Sequence, residues 1–391
     1  MNPELFRKSS SGRVLRVGSG EAAYWAFVPD PLPPHLALPL DLVSALSEAD
    51  RALGELAGLG RTLANPHLLI GPFIRREAVL SSRIEGTQAD VTDLYAYEAG
   101  QLALPGLKPR PEADVRDVFN YARALEYGLQ RIEQLPVSLR LLRELHGRLM
   151  EGVRGEESFP GEFRRTQNWI GPPGCTLLQA DFVPPPVEAM LPALDSFEEY
   201  LHAADALPPL IRLALIHYQF EAIHPFVDGN GRIGRLLLSL LLVHWRLLTL
   251  PLLYLSAFFE ARRDAYYGLL LRVSQAGDWA GWIQFFLKGV AEEAGDAIAR
   301  TQALQDLHLE WRERLQARPR SSASALRLLD ELFISPILTV PRAQKVLEVT
   351  HRAASLIVGR LVDEGILTLS PDSPLRNRRF WSEPILKIIG S

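Results

Sequence analysis

The sequence predicts a mainly α-helical protein that ends in a small winged helix-turn-helix domain. Apolar residues recur at intervals of three and four over most of the chain, which is the period of an amphipathic helix. After residues 318–322, a short Arg- and Ser-rich linker, the pattern changes to three short helices and two short β segments. We therefore expect an N-terminal helical region over 1–105, a helical core over 106–317 and a C-terminal domain over 318–391.

Composition narrows the class of protein. With 47% hydrophobic and 23% charged residues the chain is typical of a soluble globular protein, and its net charge of −4 argues against non-specific nucleic-acid binding by the whole chain. The single cysteine, Cys175, cannot form an internal disulfide, and no Cys/His spacing suggests zinc. Residues 1–16 contain no apolar signal core, and the longest largely apolar run, 236–243, is too short to span a bilayer. These features predict a cytoplasmic protein with no membrane contact.

The elements follow from the spacing of apolar residues and from breaker residues. One or two strands are expected between Val14 and Val28. The helices predicted in order span residues 40–59, 72–84, 90–100, 115–132, 137–149, 187–203, 207–223, 233–243 and 282–315. A Pro- and Gly-rich connection over 101–111 is the expected boundary after the N-terminal region. On the 137–149 helix, Arg143 and His146 are placed near the exposed side, and His146 is interpreted as a structural histidine.

The stretch from His224 to Arg235 carries the most chemical information. It reads His-Pro-Phe-Val-Asp-Gly-Asn-Gly-Arg-Ile-Gly-Arg and lies between two apolar helices. Gly229 and Gly231 allow a tight turn and a close approach of the backbone to a ligand. A loop that enters a helix N-terminus offers N–H groups and a favourable dipole to an anion such as phosphate. Arg232 and Arg235 lie three residues apart, so they share a helix face and can bind phosphate oxygens.

Three other side chains complete this loop. Asp228 supplies a hard carboxylate, which suits a Mg²⁺ ion that also binds phosphate oxygens. His224 is the one group of the loop that can take up a proton near neutral pH. Phe226 is expected to turn inward and anchor the loop. An ordinary Gly-rich helix–helix turn would explain any one of these residues, but not all the specified positions together.

The pattern His-x-Phe-x-Asp-Gly-Asn-Gly-Arg-x-x-Arg resembles the signature of the Fic family, and the resemblance covers about residues 40–290. Members of that family transfer AMP from ATP to a hydroxyl of a target protein. The resemblance implies that His224 is the general base, Asp228 holds the metal and Asn230 with the loop N–H groups binds the α- and β-phosphates. It further places Arg232 on the β-phosphate and Arg235 on the γ-phosphate.

The resemblance also implies nucleotide contacts by residues outside the His224–Arg235 motif. Gln219 lies five residues before His224 and is expected to face the nucleotide, and Arg262 is expected near the adenine or ribose. Tyr266-Tyr267 followed by Gly277 to Trp279 also resembles Fic cores. The implied nucleotide-binding set is Glu85, Gln219, His224, Pro225, Phe226, Val227, Asp228, Gly229, Asn230, Gly231, Arg232, Arg235 and Arg262.

The segment Ser81-Ser82-Arg83-Ile84-Glu85-Gly86 ends the predicted 72–84 helix. Gly86 is a good residue just past a helix end, and Ser81 and Glu85 share one face. An isolated Glu at a helix end would be read as solvated. The Ser-x-x-x-Glu-Gly spacing, however, is similar to the inhibitory motif of Fic proteins, which implies that Glu85 pairs with Arg235 and displaces the γ-phosphate, with Ser81 holding the helix in place.

A β-hairpin is predicted from 169–171 and 181–183, with a turn at Gly171-Pro172-Pro173-Gly174. Two isolated strands are marginal in water, so this hairpin is either packed on helices or has a binding role. In Fic proteins a hairpin flap at this place lies over the active site and pairs with an extended segment of the target. The implied mechanism is strand addition, in which main-chain hydrogen bonds provide affinity.

The C-terminal domain is predicted to contain helices over 323–333, 340–347 and 353–364, with Thr350 as an N-cap and Gly365 as a stop, and strands over 366–369 and 379–381 around a turn at 370–374. From Arg320 onward there are ten Lys and Arg against seven Asp and Glu, a net charge of +3. Basic side chains concentrate on the third helix and the wing: His351, Arg352, Arg360, Arg376, Arg378 and Arg379. DNA contact and protein contact or dimerisation both fit this pattern.

The resulting interpretation is a protein adenylyltransferase that uses ATP and Mg²⁺, acts on a Ser, Thr or Tyr hydroxyl of a target protein or of itself, and is inhibited by Glu85. Two alternatives stay open: an enzyme that also removes AMP, and a DNA-binding regulator whose core senses nucleotide. DNA and a homodimer are the other partners considered. The sequence does not indicate the target protein.

Overall fold

The computed structural model describes residues 1–63, 65–98, 112–152, 159–317, 323–370, 373 and 378–390. The protein is mainly helical, as predicted. It forms two compact units. The first, the signature unit, comprises Met1–Glu55, Arg123–Thr249 and Leu253–Ala294, and the second, the C-terminal unit, comprises Leu56–Ala122, Leu250–Leu252 and Gly295–Ser391. The predicted connections at 101–111 and 318–322 lie outside the described residues, so the predicted domain boundaries stay predictions.

The helices and strands have the following bounds. The α-helices are α1 (Leu40–Thr62), α2 (His67–Ile84), α3 (Val91–Glu98), α4 (Glu112–Arg131), α5 (Leu139–Leu149), α6 (Val187–His202), α7 (Pro209–Ile223), α8 (Asn230–His244), α9 (Ser256–Ala261), α10 (Arg263–Ala276), α11 (Trp279–Gln316), α12 (Ala323–Ile334), α13 (Val340–Leu347), α14 (His351–Asp363) and α15 (Glu383–Gly390). The strands are β1 (Gly12–Val17), β2 (Tyr24–Pro29), β3 (Ile337–Thr339), β4 (Thr368–Leu369) and β5 (Arg379–Trp381).

Helices α7 and α8 form the centre of the signature unit. Almost every residue of α7 is buried, because the helix is apolar on all sides and is surrounded by other elements. Helix α8 packs against α7 and against α5. Two buried hydrogen bonds connect α7 to later helices: Trp282 Nε1 donates to Ala214 O at 2.8 Å, and His217 Nε2 lies 2.7 Å from the Tyr266 hydroxyl. The loop between α7 and α8 therefore connects two helices at the buried centre of this unit.

The N-terminal strands β1 and β2 lie where one or two strands were predicted, and they form an antiparallel pair with a register from Gly12↔Pro29 to Val17↔Tyr24. The predicted hairpin at 169–183 differs from expectation. Its two strands are reduced to a single antiparallel bridge between Ile170 and Phe182. The reason lies in the connecting residues, which turn at Gly174 and then form a short 3₁₀ helix at Leu177–Gln179, so little extended backbone remains on either side.

In the C-terminal unit, β3 lies between α12 and α13, and β4 and β5 follow α14. The three strands form an antiparallel sheet with the order β3-β5-β4. The predicted caps are present: the Thr350 side chain accepts the Ala353 N–H at 3.3 Å, and Gly365 has a φ of +71°. β3 and α15 were not predicted. Residues 371–372 and 374–377, which include most of the predicted turn and Arg376, lie outside the described residues, and the winged-helix classification stays a prediction.

Helix α2, which carries the Ser81–Gly86 segment, packs within the C-terminal unit. It contacts α12, α3 and α15. Its Glu77 accepts a hydrogen bond from the Tyr121 hydroxyl at 2.9 Å, and Arg75 pairs with Glu98 at 2.9 Å in a largely buried position. Across the described parts of both units, none of the helices has the length and apolar character needed to cross a membrane.

Candidate active site

His224 occupies an unusual backbone position at the end of α7. Its φ of +49° and ψ of +61° place it in the left-handed region, where a residue with a Cβ costs on the order of 1–2 kcal/mol. The side chain is half-buried, and Nδ1 lies 3.2 Å from the carbonyl oxygen of Glu221. A carbonyl can only accept, so Nδ1 carries the proton and Nε2 is the basic nitrogen. The left-handed turn thus orients an imidazole whose tautomer is fixed.

A buried arginine holds this strained turn. Arg164 Nε donates to the carbonyl oxygen of His224 at 2.9 Å, and the Arg164 backbone N–H donates to Pro225 O at 2.8 Å. The rest of its guanidinium donates to the carbonyl oxygens of Thr166 and Pro185. Arg164 is 1% exposed, and burial lowers its pKa to about 10, so it remains charged at neutral pH. By donating to main-chain carbonyl oxygens from several segments, this single buried cation fixes the start of the loop.

Two asparagine side chains hold the next residue of the loop. Asn230 and Phe226 exchange hydrogen bonds: Asn230 Oδ1 accepts from Phe226 N, and Nδ2 donates to Phe226 O, each at 2.8 Å. Asn168 Nδ2 donates to the same Phe226 oxygen, also at 2.8 Å. The Asn230 amide therefore holds the loop backbone, and its predicted contact with phosphate stays a prediction.

His146 was placed near the exposed side of its helix, and that placement is wrong. It lies on the buried face of α5 with Leu142, Leu145 and Leu149 and is 0% exposed, because these positions share one face at intervals of three and four. Burial lowers its pKa to about 4, so the ring is neutral. The ring also contacts the loop between α7 and α8, so its structural role is to support that loop.

The His146 ring bridges two chain segments. The Gly161 N–H donates to Nδ1 at 2.9 Å, so Nε2 carries the proton and donates to Asp228 O at 3.1 Å. The ring also stacks on Phe226, with a centroid separation of 3.9 Å and an angle of 8°. Phe226 is fully buried, which confirms that it turns inward. His146 therefore fixes the backbone of the residue whose carboxylate was predicted to hold the metal.

Gly229 is required by the geometry of the loop. Its φ is +78°, and a Cβ atom there would lie 3.2 Å from Met150 Sδ and 3.3 Å from Leu149 Cδ2. The Gly229 N–H donates to the Asp228 carboxylate at 2.6 Å. The carboxylate itself remains 63% exposed, so the loop is closed on its inner side and presents Asp228 outward.

The two arginines of the motif lie in the first turns of α8 and are almost fully buried. Arg232 Nη2 lies 3.8 Å from Asp228 Oδ2 and 3.8 Å from Met150 Sδ. Among the described residues no group of three or more His, Cys, Asp or Glu side chains could hold a metal by itself.

Val227 and Gly231 lie in the loop and in the first turn of α8, whereas the other predicted residues are engaged elsewhere or lie in the other unit. Gln219 is buried, and its Nε2 donates to Asp30 O at 3.1 Å. Arg262 lies 2.8 Å from Glu292 and over the Phe258 ring at 4.1 Å. In the C-terminal unit, Ser81 is fully buried, whereas Glu85 is the exposed C-cap of α2 and is followed by Gly86 with a φ of +102°. Their roles toward a nucleotide or in inhibition stay predictions.

Two residues that shape the loop, Arg164 and Asn168, were not predicted from the sequence. A third, His146, was predicted as a structural residue but not as a buried one. Arg164 lies in the stretch Pro160-Gly161-Glu162-Phe163-Arg164, in which no local pattern indicates a role for it. Taken together, the structure defines a class of site: a rigid loop at a helix N-terminus that presents an oriented imidazole, an exposed carboxylate and two buried arginines.

Comparison with known proteins identifies the family in which this chain and its site belong. Residues 43–130 match the Fic/DOC family N-terminal model, and residues 136–242 match the Fic/DOC family model. The chain therefore belongs to the Fic/DOC family. A protein adenylyltransferase Fic from Drosophila grimshawi is 32% identical over 172 residues, which are 43% of this chain and 32% of that protein. The adenylyltransferase fic-1 of Caenorhabditis briggsae is 27% identical over 209 residues, 52% of this chain and 37% of that one.

Solved structures show the same fold at low identity. A Fic family protein from Desulfovibrio desulfuricans G20 has a TM-score of 0.56 and 22% identity, over 90% of this chain and 98% of that one. Fic-1 of Caenorhabditis elegans has a TM-score of 0.51 and 22% identity, over 67% of this chain and 75% of that structure. The chain aligns with only about a third of the length of the curated relatives. Strands β1 and β2, which form the N-terminal hairpin, lie outside both family matches.

Proposed function

We propose that this protein transfers AMP from ATP to a Ser, Thr or Tyr hydroxyl of a protein. The observation that carries the proposal is the imidazole of His224, whose Nδ1 donates to Glu221 O and whose Nε2 is the basic nitrogen, mounted beside a helix N-terminus and two buried arginines. A base, an anion site and fixed cations are the parts that nucleotidyl transfer needs. The relatives named as protein adenylyltransferases support the same class of reaction.

In the proposed reaction, the acceptor oxygen attacks the α-phosphorus of ATP while His224 Nε2 takes the hydroxyl proton. The bond between the α-phosphorus and the bridging oxygen of the β-phosphate breaks, and pyrophosphate leaves with the electron pair. The first N–H groups of α8 and the guanidinium groups of Arg232 and Arg235 bind the phosphate oxygens. Positioning and charge stabilisation supply most of the rate enhancement in phosphoryl transfer, which suits a loop fixed as firmly as this one.

Mg²⁺ fits the residues that are present. Asp228 offers one exposed carboxylate, and Mg²⁺ is commonly held by one or two carboxylates together with substrate phosphates and water. When bound, the ion would neutralise charge on the phosphate oxygens. The contribution of the chain is to orient that carboxylate through the Gly229 N–H and through the His146 bond to Asp228 O.

We further propose inhibition by Glu85, on the strength of the Ser-x-x-x-Glu-Gly motif at the end of α2. Glu85→Gly should raise AMP transfer, including self-modification, and Ser81→Ala should have a weaker effect in the same direction. The measurement is the initial rate of AMP incorporation at equal ATP. Wild-type rates in Glu85→Gly would reject the inhibitory role, whereas loss of AMP removal in that variant would favour the alternative of an enzyme that also hydrolyses the modification.

The predicted C-terminal domain, residues 318–391, has two candidate roles. His351 and Arg352 on α14 and Arg378 before β5 are exposed, which favours contact with DNA phosphates. Leu356, however, is 69% exposed on α14, which favours a protein contact such as a homodimer. A salt-sensitive gel shift by the intact protein would support DNA, and a concentration-dependent dimer without any gel shift would support the second candidate. A cytoplasmic location stays a prediction.

The proposed activity is tested with ATP carrying label on either the α- or the γ-phosphate. The protein, Mg²⁺ and a lysate are incubated with each substrate, and labelled proteins are separated. We expect label in protein only from the α-position. Label from the γ-position alone would indicate a kinase. No label from either substrate, even in Glu85→Gly, together with specific duplex binding would favour the nucleotide-sensing DNA regulator.

A further inference from the structure

The N-terminal hairpin β1–β2 is hydrogen-bonded to the flap, residues 169–183. Phe27 N donates to Val183 O at 2.8 Å. One residue earlier, Phe182 and Ile170 exchange main-chain hydrogen bonds of 2.9 and 3.0 Å. Because the N–H and C=O groups of successive extended residues point to opposite edges, the 182–183 backbone bonds Ile170 on one side and β2 on the other. The segments therefore lie in the order β1, β2, 182–183, then Ile170.

Side chains join the same two regions. The rings of Phe6, Phe27 and Phe182 are buried, with centroid separations between 5.6 and 6.3 Å. The Tyr24 hydroxyl donates to Gln167 Oε1 at 3.1 Å, just before the first arm of the flap. A main-chain bond, an aromatic cluster and a side-chain bond thus connect the hairpin with both arms of the flap.

The outer edge of this layer is open to solvent. Trp169 and Ile170 are 42% and 38% exposed, and Gly171 is exposed. Since Ile170 directs its N–H and C=O toward Phe182, the alternation of extended backbone directs those of the preceding residue, Trp169, outward. An extended peptide segment can add to such an edge through main-chain hydrogen bonds.

We infer that the N-terminal hairpin is the inner part of the target-docking layer and positions the outer edge of the flap for an extended segment of the target protein. This inference rests on the proposed function, because it concerns the acceptor side of the same reaction. The flap has only one bridge of its own, and two strands alone are marginally stable, so a third and fourth strand behind it supply the missing order. The hairpin is accordingly proposed as a positioning element for the flap.

Two substitutions loosen the hairpin by different means. In Gly12→Ala, the added Cβ would lie 2.4 Å from Val28 O and 2.6 Å from Phe27 Cζ, which forces β1 and β2 apart. Phe27→Leu keeps an apolar side chain but removes the ring contacts with Phe6 and Phe182, and it stands in if the first variant does not fold. Gly54→Ala on α1 is the matched control, because its new methyl group would meet no atom within 4 Å.

The primary measurement is hydrogen exchange of the Ile170 and Phe182 amides in the full chain. We expect exchange to rise about tenfold in Gly12→Ala and Phe27→Leu, the effect expected for losing a main-chain hydrogen bond, and to stay unchanged in Gly54→Ala. In a Glu85→Gly background, AMP transfer to protein should fall about tenfold while the affinity for a fluorescent ATP analogue stays within about twofold.

Three results separate the possible failures. Unchanged flap exchange in both hairpin variants would overturn the inference, whatever happens to activity. A parallel fall of nucleotide affinity and AMP transfer would also overturn it, because that pattern indicates general loss of structure. If Glu85→Gly itself transfers no AMP, the proposed function fails, and hydrogen exchange still decides whether the hairpin orders the flap.

Discussion

The signature loop and the flap are held in opposite ways. In the loop, the carbonyl oxygens of His224, Pro225, Phe226 and Asp228 each accept a hydrogen bond from Arg164, Asn168, Asn230 or His146. The flap has one bridge of its own and exposes Trp169, Ile170 and Leu178. A loop that binds phosphates gains from geometry fixed before the ligand arrives. An edge that must accept another chain gains from main-chain groups that are left available.

The largest expected effect comes from removing the cation under the loop. Arg164→Met leaves several buried carbonyl oxygens without their donor, so the free energy of unfolding should fall by about 3 kcal/mol or more. AMP transfer should fall by about 100-fold, since the strained turn at His224 loses its support. Denaturant unfolding and the initial rate of transfer measure the two effects.

Arg165 supplies the control for this prediction. It adjoins Arg164 in the sequence, but it is exposed and forms a surface ion pair with Glu162. Arg165→Met should change the free energy of unfolding by less than about 1 kcal/mol. Equal effects of the two substitutions would show that the buried arginine does not fix the loop, and the contrast between loop and flap would then lose its basis.

An intermediate effect is expected at His146. His146→Phe keeps a flat ring against Phe226 but loses the bonds to Gly161 and to Asp228 O. If these bonds orient the Asp228 carboxylate, the Mg²⁺ concentration needed for half-maximal AMP transfer should rise about 10- to 100-fold. His146→Gln, which retains a donor and an acceptor, should recover part of the loss.

Tyr218→Phe is the control for His146. It removes another buried hydrogen bond of the signature unit, the one to Ser274 at 2.9 Å, with no change to the loop. We expect a small loss of stability and an unchanged Mg²⁺ dependence. A Mg²⁺ dependence that stays at the wild-type value in His146→Phe would contradict a positioning role.

The smallest effects come from a matched pair of glycines. Gly229 in the loop and Gly174 in the flap have nearly the same φ, +78° and +80°, but a Cβ at Gly229 meets Met150 and Leu149, whereas a Cβ at Gly174 meets nothing within 4 Å. Both substitutions by Ala should cost about 1 kcal/mol for the left-handed backbone. Only Gly229→Ala should add a packing cost and lower AMP transfer, by about tenfold. Equal rates in the two variants would mean that the loop tolerates displacement as well as the flap does.

Local pattern predicted much of this molecule. Most helices of the signature unit, the inward position of Phe226, the N-cap at Thr350 and the glycine after α2 follow from the period of apolar residues and from backbone preferences within a few positions. The loop chemistry could also be predicted, because its residues are adjacent in the sequence.

Contacts between distant segments could not be predicted. Arg164 reaches His224 across 60 residues, and His146 reaches Asp228 across 82. Neither histidine nor arginine shows from sequence alone whether it is buried, so His146 was placed on the wrong side of its helix. Strand β3 was missed because three residues carry no readable alternation, and the flap strands were overestimated because the turn and 3₁₀ helix between them consume the extended backbone.

One measurement tests most directly whether His224 is the base of an AMP transfer reaction. AMP incorporation from α-labelled ATP is compared between Glu85→Gly and the double variant Glu85→Gly/His224→Ala, with nucleotide affinity measured in both. We predict that incorporation falls about 10²- to 10⁴-fold in the double variant while nucleotide affinity is retained. Equal incorporation in the two folded variants would contradict the proposed role of His224.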